Sequence, residues 1–74
     1  MPKVILIGWK PGLRKISLGD LLQAKAGLTP KQAKDCVDRL LDGDDVVIDV
    51  STRVNAEDLI KEASSLGAIC TVED

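Results

Sequence analysis

Residues 27–41, GLTPKQAKDCVDRLL, limit what this chain can fold into more than any other segment. Thr29 is predicted to cap a helix, because its hydroxyl can accept a hydrogen bond from a free N–H group of the first turn. Pro30 suits the first helical position, where no N–H is needed, and Gly43 is expected to end the helix. Apolar residues recur between these ends at helical spacing, so one face of the helix has to be buried. This stripe consists of Ala33, Cys36, Val37, Leu40 and Leu41.

Three apolar segments have the length of β-strands. Residues 4–7 form an uninterrupted apolar run, which indicates a strand that is covered on both faces. Residues 46–50 and 68–72 predict the second and third strands. Trp9 begins the turn-forming sequence Trp9-Lys10-Pro11-Gly12. It is expected to cover an edge of the core, the alternative being an exposed anchor for a partner.

Two helices are predicted between the first two strands. Ser17 is expected to cap the first, with Asp20 as the acidic partner of a capping box, and Gly27 is expected to end it. Because Gly27 and Leu28 leave only a short corner before the second helix, the two helices form a hairpin. Leu28 is expected to pack beneath this corner.

A third helix follows the second strand. Asn55 is its predicted cap, Asp58 lies at its third position, and Gly67 is expected to end it. The resulting order, β-α-α-β-α-β, predicts an α+β two-layer sandwich with three helices on one face of a three-stranded sheet. At this length, residues 1–74 are expected to form a single domain.

The composition argues against catalysis, because the sequence contains no histidine and no tyrosine. Histidine is the commonest general base and a favoured metal ligand. We therefore expect a protein that is not an enzyme and that needs no cofactor. Trp9 is the only aromatic residue, so base stacking, and with it nucleic-acid binding, is not expected.

Neither a membrane segment nor a metal site is predicted. No apolar run approaches the length needed to cross a bilayer, and the run after Met1 is too short for a signal peptide. A cytoplasmic protein with reduced cysteines is therefore expected. The acidic residues Asp42, Asp44, Asp45 and Asp49 do not have the spacing of a calcium-binding loop and are interpreted as an acidic turn.

The charge is divided unevenly along the chain. Residues 1–34 carry seven basic groups and one acidic group, whereas residues 35–74 carry three basic and eleven acidic groups. This asymmetry predicts a basic surface in the first half that attracts an acidic protein partner. The oligomeric state stays open, because the sequence does not identify the edge strand.

Two alternative functions also fit the residues. The acidic residues 35–58 are suited to a regulatory adaptor or toxin-neutralising protein that covers a basic target. The glycine-containing loop of residues 8–15, with Arg14 and Lys15 at a helix start, is suited to an anion. Together with Cys36 or Cys70, this loop suggests a small anion-binding protein or a thiol enzyme.

The string GLTPKQAKDCV resembles the C-terminal domain of the bacterial ribosomal stalk protein. The family pattern places a Gly-Leu corner before Lys-x-Ala-Lys-x-x-Val, found here as Gly27-Leu28 and residues 31–37. It also ends a later helix with Gly-Ala before the last strand, found here as Gly67-Ala68. The resemblance extends over essentially the whole chain and implies the same two-layer fold, with strands antiparallel or mixed.

The resemblance implies a binding function. In that family the domain recruits translational GTPases through basic and small apolar residues on the two-helix hairpin. At Gly19, Asp20 and Gln23 the family instead carries an apolar residue, a lysine and an arginine, so the local charge is reversed here. From the resemblance and the basic first half, we predict these partner-binding residues: Lys15, Ile16, Lys25, Gly27, Leu28, Lys31 and Lys34.

The fold is also similar to that of the adaptor that delivers N-degron substrates to the Clp protease, a member of the same ClpS-like superfamily. That adaptor places an Asn-Asp-Asp pocket after its first strand and uses a histidine. This chain has Gly8-Trp9-Lys10-Pro11 there, so the degron pocket is not expected.

Overall fold

The computed structural model describes residues 2–73 and shows the predicted order of elements around one sheet. The strands lie in the order β2-β1-β3, and both pairs are antiparallel. This confirms the α+β architecture; strand ends differ from the predicted ones by one or two residues. The elements are β1 (Lys3–Trp9), α1 (Lys15–Ala26), α2 (Pro30–Leu41), β2 (Val46–Asp49), α3 (Arg53–Ser65) and β3 (Ala68–Glu73).

The central strand β1 is covered on one face only. Val4 and Leu6 are fully buried, whereas Ile7 on the other face is 48% exposed. The prediction of a strand covered on both faces was therefore wrong. The reason is tertiary: α2 packs on β1 and β2, and α3 packs on β1 and β3, so only one face of the sheet is covered.

The core lies between the sheet and the helices. Ala33, Val37 and Leu40 of α2 are buried there as predicted, while Cys36 and Leu41 lie at its margin and are half-buried. Helix α1 packs across α2 and α3. The remaining buried residues are Val4, Leu6, Leu18, Leu22, Val46, Ile48, Val50, Ala56, Leu59, Ala63 and Ala68.

Helix α2 has the predicted ends. The Gln32 N–H donates to Thr29 Oγ1 over 3.1 Å, and the Thr29 N–H donates to Gln32 Oε1 over 3.0 Å. These reciprocal bonds form a capping box. Beyond the helix, Gly43 has a φ of 94° and donates its N–H to the Leu40 carbonyl. Local chemistry therefore determines both ends of this helix.

The predicted start of α1 was wrong. The helix begins at Lys15, Arg14 precedes it without a side-chain cap, and Ser17 lies inside the first turn. The start is held by tertiary contacts instead. The Arg14 N–H donates to the Leu66 carbonyl at 3.0 Å, and the Lys10 N–H donates to the Gly67 carbonyl at 2.8 Å.

Two further local predictions were wrong. The cap of α3 is Thr52, whose hydroxyl accepts the Asn55 N–H at 3.1 Å, so Asn55 occupies the third helical position. Thr52 is extended, which allows it to cap one turn earlier than predicted. Trp9 does not cover the core edge: it belongs to β1, pairs with Ala68 at the end of the sheet and is 42% exposed.

Candidate functional site

A groove with a volume of about 280 Å³ lies between α1 and α2. It exists because α1 buries Leu18 and Leu22 and leaves a neighbouring stripe of the helix uncovered. Residues on that stripe recur at helical spacing, so they line one wall of the groove. The lining residues are Lys15, Ile16, Gly19, Asp20 and Gln23 of α1 with Pro30, Ala33, Lys34, Val37 and Asp38 of α2.

Gly19 lines the groove without a side chain. A Cβ atom added there would meet nothing within 4 Å, so the missing side chain leaves open space. Ala33 and Val37 contribute a buried apolar wall from α2. Ile16 stands at the rim and is 83% exposed, the largest exposed fraction among the exposed large hydrophobic residues of the described chain. The groove therefore combines an open apolar interior with an exposed aliphatic side chain.

The charges that line the groove are balanced. Lys15 and Asp20 lie on α1, and Lys34 and Asp38 lie on α2. Lys34 Nζ is 3.9 Å from Asp38 Oδ2 in an exposed i,i+4 pair, which contributes about 0.3–0.5 kcal/mol at most. The basic excess of the first half of the sequence is therefore not concentrated inside the groove.

The structure brings three of the seven predicted partner-binding residues together, since Lys15, Ile16 and Lys34 all line the groove. Lys25 is directed elsewhere. Its Nζ lies 3.9 Å from Glu62 Oε2 of α3, and both side chains remain partly exposed. Lys25 thus belongs to a separate polar surface between α1 and α3.

The other predicted residues lie at the hairpin corner and on the outside of α2. Gly27 ends α1 with a φ of 69°, and its N–H donates to the Leu22 carbonyl. Leu28 is half-buried against the core, as predicted, and is therefore less available to a partner than Ile16. Lys31 is exposed on α2 but does not line the groove.

Sequence reasoning missed most of the groove lining. Gly19, Asp20 and Gln23 were noted as departures from the family pattern, and Asp20 also as a capping-box residue. None of the three was predicted to bind a partner, although they follow Ile16 at spacings of three, four and seven residues. That spacing marks one helical face and was the available signal. Val37 and Asp38 gave no such signal, because their place beside α1 depends on how the hairpin closes.

The two cysteine thiols are in environments that oppose thiolate formation. Burial raises the pKa of Cys70 to about 11. Burial also raises the pKa of Cys36, with a further increase from Asp35 and an opposing effect of Arg39. A nucleophilic cysteine needs a lowered pKa, so neither thiol is activated in this fold.

Residues 2–73 contain no group of three or more side chains placed to hold a metal ion. The helices within this range are also too short or too polar to cross a membrane.

No protein-family model matches the chain, and no curated protein matches it either.

Proposed function

We propose that the chain is a non-catalytic protein-interaction module that binds an acidic partner surface through the α1–α2 hairpin. The observation that carries this proposal is the groove, in which Ile16 is exposed beside the open space at Gly19. The resemblance to the ribosomal stalk C-terminal domain supports the same face and suggests a translation-factor partner.

Apolar contact and charge have different roles in the proposed complex. Burial of Ile16 and of the groove wall would supply affinity, at roughly 25 cal/mol per Å² of apolar surface before the cost of association. Lys15 and Lys31 would instead attract an acidic partner and raise the association rate. The partner that fits has apolar side chains for the groove and acidic groups beside them.

Backbone amide NMR with purified translational GTPases tests this proposal directly. We expect shifts that cluster on Lys15, Ile16, Gly19 and Lys34 as the GTPase is added. Shifts on the acidic turn at Asp42–Asp45, or no shifts at millimolar protein, would contradict a translation-factor partner on the hairpin.

Two variants separate the charge from the apolar contact. Lys31→Glu/Lys34→Glu is expected to slow association, and Ile16→Ser is expected to speed dissociation, each weakening binding about tenfold or more. Lys10→Glu/Lys61→Glu carries the same change in net charge at two exposed positions outside the groove. Equal losses in both charge variants would show that only net charge matters.

The acidic second half supports an alternative, a regulatory adaptor or toxin-neutralising protein. Asp42, Asp44 and Asp45 are all exposed around the turn between α2 and β2. A basic protein that shifts these amides and leaves Ile16 unchanged would favour this alternative over the hairpin proposal.

A further inference from the structure

We infer that a second copy of this chain docks on the groove, with the two α1 helices antiparallel and Ile16 of each copy placed over Gly19 of the other. This self-association goes beyond the proposed function and does not depend on it. It rests on the shape and the charge of the same helical face.

The shape argument starts from a protruding side chain beside an open space. Ile16 is 83% exposed, and nothing lies within 4 Å of the position that a Gly19 Cβ would occupy. Both residues line the groove and are three positions apart on one face of α1. In an antiparallel pair, a register that places Ile16 of the first copy against Gly19 of the second also places Ile16 of the second copy against Gly19 of the first. The contact is thus reciprocal, as a two-fold interface requires.

The charge argument selects the same register. Lys15 and Asp20 flank Ile16 and Gly19 on this face, and both line the groove. When Ile16 faces Gly19 of the second copy, Lys15 faces Asp20 of the second copy, and the reverse pair forms by symmetry. A parallel pairing of α1 would instead set like charges against each other. One register therefore satisfies shape and charge together.

The groove as a whole also tolerates a second copy. Lys34 and Asp38 on the α2 wall balance each other, as Lys15 and Asp20 do on the α1 wall. The two facing grooves therefore carry no net charge toward each other, whereas uniformly basic grooves would repel. The dimer would cover Lys15 and Ile16, so self-association and binding of another protein on this face exclude each other.

The uncovered face of the sheet is the competing interface. Ile7, Val47 and Ile69 are exposed there, and Val47 is 57% exposed. Nothing about these residues specifies an occupant. Val47→Ser tests for a dimer formed through the sheet and is the matched control for Ile16→Ser.

Sedimentation velocity of the purified chain, from about 10 μM to about 1 mM, measures the association. We expect the weight-average mass to rise from that of the 7.9 kDa monomer toward twice that value. Ile16→Ser is expected to raise the dissociation constant at least about tenfold, and Val47→Ser to change it less than about twofold. Gly19→Leu fills the open space and is expected to act like Ile16→Ser.

A charge exchange tests the register. Lys15→Glu and Asp20→Lys are each expected to weaken the dimer, because each places like charges in contact. The double variant Lys15→Glu/Asp20→Lys restores opposite charges and is expected to recover the wild-type dissociation constant to within about threefold. Circular dichroism of each variant confirms that α1 remains folded.

Three results would overturn the inference: a single 7.9 kDa species at every concentration, a dimer lost in Val47→Ser but kept in Ile16→Ser, or no recovery in the double variant. A monomer that still binds a partner on the hairpin would leave the proposed function intact. A dimer that binds no such partner would leave the self-association intact.

Discussion

Gly19 weakens the helix that it occupies while it opens the groove. It lies inside α1, where glycine is less favourable than alanine by about 0.5–1 kcal/mol, and an added Cβ would meet nothing within 4 Å. Gly19→Ala is therefore expected to raise the free energy of unfolding by about this amount in urea denaturation. Gly27→Ala is the control and is expected to lower it, because Gly27 has a φ of 69°. A lower free energy of unfolding in Gly19→Ala would instead show that the native fold needs a residue without a side chain at this position.

Cys70 is expected to make stability fall at alkaline pH. In the unfolded chain the pKa of a cysteine thiol is about 8.5. In the folded protein, burial raises the pKa of Cys70 to about 11. Between these values the folded state binds more protons than the unfolded state, so the free energy of unfolding decreases as pH rises. The contribution is fully present below about pH 8.5.

Comparison with Cys70→Val isolates this effect from lysine titration. Unfolding in urea is measured at intervals across the alkaline range for both proteins. Between about pH 8.5 and pH 11, we expect the free energy of unfolding of the wild type to fall relative to that of Cys70→Val. Parallel dependence of the two free energies on pH would contradict a contribution of the Cys70 thiol.

The helices of the hairpin begin in different ways, and this predicts different responses to mutation. Thr29→Ala removes a capping box and is expected to lower the free energy of unfolding by about 1 kcal/mol. Ser17→Ala is the matched control, because Ser17 lies inside α1 and does not cap it; we expect a change within about 0.5 kcal/mol. Thermal and urea denaturation measure both. Equal losses would show that Ser17 has a stabilising contact.

The turn between α3 and β3 holds the start of α1. Gly67 has a φ of 106°, and an added Cβ would lie 3.1 Å from the Leu13 Cα. Gly67→Ala is expected to lower the free energy of unfolding by more than about 1 kcal/mol. It is also expected to speed hydrogen exchange at the Leu18 amide, which donates to the Arg14 carbonyl at the start of α1. Gly12→Ala has a similar backbone strain, with a φ of 90°, but no close neighbour. Equal effects of the two variants would remove any role for the contact with Leu13.

At the scale of the whole molecule, stability depends on one thin core. A chain of 74 residues has a net stability of only about 4–11 kcal/mol, while Leu→Ala in a core lowers it by about 2–5 kcal/mol. Leu59 is fully buried, so Leu59→Ala is expected to remove about 2–5 kcal/mol, a large share of the total, and to lower the melting temperature in calorimetry. Ile16→Ala, at an 83% exposed position, is expected to change stability by less than about 0.5 kcal/mol. An Ile16 loss as large as that of Leu59 would place Ile16 in the core.

Much of the fold could be predicted from the sequence, whereas the groove could be predicted only in part. The cap at Thr29, the stop at Gly43 and the hairpin corner all act through neighbours a few residues away, and the structure confirms them. Thr52 was missed although it also acts locally, because Asn55 offered a competing cap three residues later. Ile16 and Lys34 were predicted from a resemblance rather than from packing.

The sequence by itself determined the order of the elements and the extent of α2, because periodic burial and capping depend on short-range spacing. Only the tertiary structure decided where α1 begins, which face of β1 stays exposed and which stripe of α1 faces a groove. Those features depend on contacts between distant segments, such as Arg14 with Leu66. The open space at Gly19 has the same origin, since a missing side chain becomes a recess only when a neighbouring helix supplies the opposite wall.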